Sequence, residues 1–152
     1  MTKEEKDILL VYIKEEIRKA KENADKADEA SKFIISGPSQ SGDRYHAQNA
    51  ADLAGAYVQE LEKLNKEISN TSETVNESVK PVSHVEIRYD DGNSLDFYLV
   101  ENAASLTRFL FISKTSPIGV SIIGKKVGES FSYKLGEAEN IRTFSGKILK
   151  VE

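Results

Sequence analysis

The sequence contains no cysteine and no tryptophan, a single methionine and only three prolines in 152 residues. Without cysteine there can be no disulfide framework and no thiolate metal site, and thiol usage says nothing of the compartment. A basic excess is also missing. The net charge of −4 disfavours direct binding to the phosphate backbone of DNA or RNA, which requires clustered positive charge. Long hydrophobic runs are lacking as well: Ile8 to Ile13 is too short to span a bilayer, follows a polar start and sits in an amphipathic pattern. Neither a signal peptide nor membrane association is expected, and a cytoplasmic location follows by default. What is present is a hydrophobic share of 39%, enough for one compact domain or two small ones. The whole negative excess falls in residues 1–80, while residues 81–152 are balanced. The first half is therefore the part suited to a cationic or metal-bearing partner.

From Lys3 to Phe33 there is no glycine or proline, and Ile8, Leu9, Tyr12, Ile13, Ile17, Ala20, Ala24, Ala27, Ala30 and Phe33 recur at helical spacing. This predicts one long amphipathic helix, capped by Thr2 with Glu4 and Glu5 in its first turn. Its seam narrows from Ile and Leu to Ala. Ser36 to Asp43 then collects breakers and turn formers, so the chain reverses there. A second helix is expected from about Asp43 or Arg44 to Ser69, with Ala47, Ala50, Ala54, Tyr57, Val58, Leu61, Leu64 and Ile68 on its seam. The two gradients mirror each other, small near the reversal and large near the base. They predict an antiparallel hairpin, or coiled coil, over residues 1–70 with its tip at about 36–46. An Ala seam buries little, so the length of the rod is explained by reach. Exposed charges are expected to pair along the first helix, Glu15 with Lys19 and Glu22 with Lys26.

Residues 71–82 are rich in Ser, Thr and Asn and read as a linker. Residues 83–152 read as a small β-rich domain, which makes the chain α+β. Val85, Ile87 and Tyr89 alternate with polar residues, Asp90 to Asn93 marks a turn, and Leu95, Phe97 and Leu99 alternate again. Further strands are expected at Phe109–Ser113, Phe131–Leu135 and Arg142–Val151, with Phe144, Ile148 and Val151 inward. Between them, Ser116 can cap a short helix begun by Pro117 and ended by Gly124. Gly124-Lys-Lys lacks the spacing of a phosphate-binding loop.

The run Ser116-Pro-Ile-Gly119, then Ile122-Ile-Gly-Lys-Lys-Val-Gly-Glu129, and the closing Gly146-Lys-Ile-Leu-Lys-Val151 resemble the C-terminal domain of the bacterial GreA/GreB transcript-cleavage factors. The helical hairpin before it completes that family's plan, so the resemblance covers essentially the whole chain. It implies an FKBP-like C-terminal domain docking on RNA polymerase through Ser116, Pro117, Ile118 and Gly119. It also implies a hairpin inserted in the secondary channel, and a tip made of Ser41, Gly42, Asp43, Arg44, Tyr45 and His46. The chain would then be an accessory factor and not an enzyme, stimulating the polymerase's own cleavage of backtracked RNA and meeting the RNA 3′ end only indirectly. No cofactor and no stable metal of its own are implied. The Mg²⁺ concerned belongs to the polymerase, and carboxylates suit it because they are hard oxygen ligands.

The tip departs from the family pattern. A Gly-Asp followed three residues after the Asp by Glu is usual there; here Gly42-Asp43 is followed by Arg44, Tyr45 and His46. Asp43 alone carries over, beside an arginine that competes for it, so a non-cleaving competitor in the same channel is the second reading. Asp43 is also suited to cap the second helix, His46 reads as a solvated helix residue before a proton shuttle, and His84 reads as structural. Two functions of other classes stand beside these. A prolyl isomerase is disfavoured by the absence of Trp and of aromatic residues beyond core needs, and a coiled-coil scaffold without polymerase contact is distinguished by pulldown.

Overall fold

The structure is a computed structural model that describes residues 1–33, 41–72, 76–136 and 140–152, with side chains except those of residues 31, 33 and 41–44. Helix α1 spans Lys3–Phe33 and helix α2 spans Ser41–Asn70. The strands are β1 (Ser83–Tyr89), β2 (Ser94–Val100), β3 (Phe111–Ser113), β4 (Ser130–Leu135) and β5 (Arg142–Val151), and helix α3 covers Pro117–Ile122 between β3 and β4. The expected α+β plan is the observed one. Differences lie at the edges: α2 begins at Ser41, so Asp43 lies inside its first turn and is not its cap, and β3 begins at Phe111 rather than Phe109. Of the expected reversal over Ser36–Asp43, residues 36–40 lie outside the described residues.

The two long helices run antiparallel, with Lys6 near Thr71 and Lys21 paired to Glu62. At about 1.5 Å per residue, each is a rod of roughly 45 Å. Burial along them is one-sided: Leu9, Ile13, Leu61, Leu64 and Ile68 are fully buried at the base, whereas Ala24, Ala27, Ala47 and Ala54 are only partly covered. Ile8, expected on the seam, is turned out beside Val11. The charge pairing also differs from expectation. Arg18 takes both Glu15 and Glu22, and Lys19 pairs with Glu16, because a guanidinium fork reaches both neighbouring turns.

The sheet has the order β3-β2-β1-β5-β4, antiparallel except for the parallel β2–β3 pair. A bulge opposite Glu86 and Ile87 separates the Lys150 and Ile148 pairings on β5. It places Ile148 and Val151, three residues apart, in the same core, which a regular strand could not do. One face of the sheet gathers Val85, Ile87, Phe97, Leu99, Phe131 and Ile148 under Ile118 and Ile122 of α3. The opposite face, with Val82, Tyr98, Val100 and Phe111, packs on the hairpin base through Leu9, Ile13, Leu61, Leu64 and Ile68. Strand β2 is therefore buried on both sides over its last four residues. Residues 101–110, which carry the chain from β2 to β3, lie on the hairpin: Glu67 accepts the Glu101 and Asn102 amides at 2.6 and 3.0 Å, and the Tyr57 hydroxyl donates to the Ser105 carbonyl at 2.9 Å.

Candidate functional site

The residues singled out in the sequence fall at the two far ends of the molecule. At one end, Ser41, Gly42, Asp43, Arg44, Tyr45 and His46 form the first turns of α2. Tyr45 is 65% exposed and His46 is exposed beside it, with their rings edge to face at 6.0 Å. Among the described residues the last fully covered side chains of the hairpin are Ala20 and Leu61. Beyond them the described side chains of both helices are half-buried or exposed.

At the other end, Ser116 caps α3: its Oγ accepts the Gly119 amide at 3.1 Å and donates to the Ser113 carbonyl at 2.7 Å. Pro117 holds the first helical position and is exposed, whereas Ile118 and Gly119 are buried. A Cβ on Gly119 would stand 2.3 Å from the Ser113 carbonyl oxygen, so glycine is required for α3 to pack against the end of β3. Of the four residues expected to dock, two serve the fold, and Pro117 and the rim of Ser116 are left to the surface. The apolar side chains turned outward here are Val120, Ile123 and Val127, exposed by 62%, 43% and 57%. Their signal was available in the sequence, since Ile122-Ile123 sets two large apolar residues side by side on a short helix end, where only one can face the core.

A third group escaped sequence reasoning. His84, read as structural, sits between the hairpin and the sheet with Nδ1 3.0 Å from Glu5 Oε1 and Nε2 2.5 Å from Asp96 Oδ1. Glu152 Oε2 lies 3.8 Å from Nδ1, and the Tyr98 ring stacks on the imidazole at 4.6 Å. Burial pushes the Glu5 carboxyl upward, but two hydrogen bonds from Thr2 and the neighbouring His84 outweigh it and hold it below its usual value. Burial, then the charges of Glu5, Asp96 and Glu152, push the Tyr98 phenol up to about 12. Glu5 and Glu152 lie 79 and 68 positions from His84, whereas Asp96 and Tyr98 lie 12 and 14 positions away on the paired strand, so only the β1–β2 partnership was readable in advance.

Comparison with known proteins adds a family. Residues 74–152 match the family described as "Transcription elongation factor, GreA/GreB, C-term". No curated protein matches the chain. Among solved structures, Gfh1 of Thermus aquaticus is 18% identical, covers 92% of this chain and 91% of its own, and has a TM-score of 0.42. The GreA factor homolog 1 (Gfh1) of Thermus thermophilus is 21% identical over 100% of this chain and 97% of its own, with a TM-score of 0.41. A GreA/GreB elongation factor of Nitrosomonas europaea is 17% identical over 68% of this chain and 91% of its own, with a TM-score of 0.39.

Proposed function

We infer the function of this chain from its family: it belongs to the GreA/GreB transcription elongation factors. We propose that it binds RNA polymerase, with the sheet domain docked at the rim of the secondary channel and the hairpin inserted toward the active centre. The observation that carries this reading is the hairpin itself. Two helices of 31 and 30 residues have their fully buried large side chains, among the described residues, toward the base, and a rod that contributes so little apolar burial along its shaft is suited to reaching a distant site. Docking falls to the exposed apolar residues around α3, Val120, Ile123 and Val127, with Pro117 beside them. A chain working in this way acts in the cytoplasm, is an accessory to the polymerase and catalyses nothing alone. No helix among the described residues is long and apolar enough to cross a membrane.

In this reading Asp43, in the first turn of α2, supplies one carboxylate to the Mg²⁺ of the polymerase. The chain thereby stimulates cleavage of backtracked RNA, in which a second ion activates the attacking water. The chain meets the RNA 3′ end only there and makes no contact with DNA. A second reading, a non-cleaving competitor for the channel, is favoured by His46, which stands where a second acid would complete the pair. Incubation with a stalled, backtracked polymerase complex separates them. Shortened transcripts are expected with the parent chain, a return to background with Asp43→Ala, and faster shortening with His46→Glu. Full occupancy without any shortening would remove the cleavage reading and leave the competitor.

A further inference from the structure

The group at the hairpin base is built from acceptors. Asp96 Oδ1 lies 2.5 Å from His84 Nε2 and can accept its N–H, and Nδ1 faces Glu5 Oε1 at 3.0 Å and Glu152 Oε2 at 3.8 Å. Two carboxylate oxygens and an imidazole nitrogen thus converge within 4.8 Å of one another, and with Nδ1 unprotonated all three are acceptors that one cation could join. A proton on Nδ1 would join His84 to Glu5 alone, because 3.8 Å is beyond hydrogen-bond distance. A metal ion would engage all three.

We propose that Glu5, His84 and Glu152 form a binding site for a borderline divalent ion of the Zn²⁺ class, joining the hairpin to the sheet domain. One imidazole with two carboxylates is a donor set that Zn²⁺ accepts. Ligands about 2.0–2.1 Å from a tetrahedral ion stand about 3.3 Å apart, and the His84 to glutamate separations of 3.0 and 3.8 Å bracket that value.

Each donor is held from outside the site, as metal ligands are. Thr2 N and Oγ1 donate to Glu5 Oε2 at 2.8 and 3.0 Å, and Thr2 Oγ1 accepts the Glu5 amide at 3.2 Å. This reciprocal capping box leaves Oε1 free to face the imidazole. Asp96 and the stacked Tyr98 ring fix the plane of His84. Glu152 is registered by reciprocal backbone hydrogen bonds with His84 at 2.9 Å. Lys150 Nζ lies 2.8 Å from Glu152 Oε2 and competes with the ion for one lone pair of a carboxylate that offers several.

The three ligands come from α1, β1 and the residue after β5. Occupancy would therefore pin the hairpin to the sheet, in contrast to the expectation from sequence that the isolated chain holds no metal. The site lies at the base of the rod, away from Asp43, and does not depend on the polymerase reading.

The test is titration of the chelator-treated full chain with Zn²⁺ at neutral pH, followed by calorimetry and by the shift of the thermal midpoint. His46→Gln serves as background to remove adventitious binding at the tip. One saturable site per chain is expected, together with a raised midpoint. His84→Gln and Glu5→Gln should each abolish both, and Asp96→Asn, which removes an outer partner, should weaken affinity about 10–100-fold. Thermal unfolding in chelator checks that every variant is folded. Cobalt(II) added to the chelator-treated chain should give visible absorption bands that His84→Gln lacks. Absence of saturable binding, or equal binding by the parent and folded His84→Gln, would overturn the assignment and leave His84 as a proton-bridged clasp.

Discussion

Gly119 and Tyr89 show how single residues set the sheet domain. The Cβ of an alanine at 119 would meet the Ser113 oxygen at 2.3 Å and the Lys114 backbone at 2.9 Å, atoms that cannot rotate away. Gly119→Ala is expected to cost about 1–3 kcal/mol, the usual range for overpacking, read as a lower urea midpoint with an unchanged slope. Tyr89 donates to or accepts from Tyr133 at 2.9 Å. Burial first, then that bond, push its phenol well above the usual range. A folded-state value above the unfolded one gives stability that is complete below about pH 10 and is lost as pH rises beyond it. Tyr89→Phe should lower stability by about 1 kcal/mol at neutral pH, and it should flatten the alkaline decline measured by denaturant titration between about pH 9 and 11. The cap at Ser116 was legible because Ser-Pro is a local helix-start signal. The close approach at Gly119 was not, since it depends on where β3 ends.

At the scale of elements, the boundaries of α1 agree with the periodicity because neither glycine nor proline interrupts it. The sheet was harder to read. Alternation assigns Leu95, Phe97 and Leu99 to a core and leaves Tyr98 and Val100 outside, yet both are buried, because the hairpin base covers the second face. A strand covered on both sides loses its period-2 signature. The β2–β3 pairing was hidden for a related reason, since it rests on a ten-residue connection that takes its shape from Glu67 and Tyr57 of α2. The hairpin itself predicts a gradient. Leu64→Ala at the base should cost about 2–5 kcal/mol, whereas Leu53→Ala, 72% exposed on the shaft, should stay within about 0.5 kcal/mol. Thermal melts of the two variants check it. At α3, Ile123→Glu should leave the melt unchanged and weaken binding to polymerase, measured by competition for a labelled parent chain.

In the molecule as a whole, the base of the hairpin and one face of the sheet form a single apolar core, reinforced by the connection at 101–110 and by the His84 group. Calorimetry should therefore give one unfolding transition with matching van't Hoff and calorimetric enthalpies, and two separated transitions would show hairpin and sheet to be independent. A rigid joint also gives the rod a fixed direction relative to the sheet, as the proposed docking and insertion require. The tip was legible only as a composition, one acid flanked by Arg44 and His46. The most direct measurement places a photo-crosslinking side chain at Tyr45, exposed on the first turns of α2, and maps its adducts in a backtracked polymerase complex. Adducts inside the secondary channel or on the RNA 3′ end are predicted; adducts confined to the outer surface of the polymerase, at full occupancy, would contradict insertion of the hairpin.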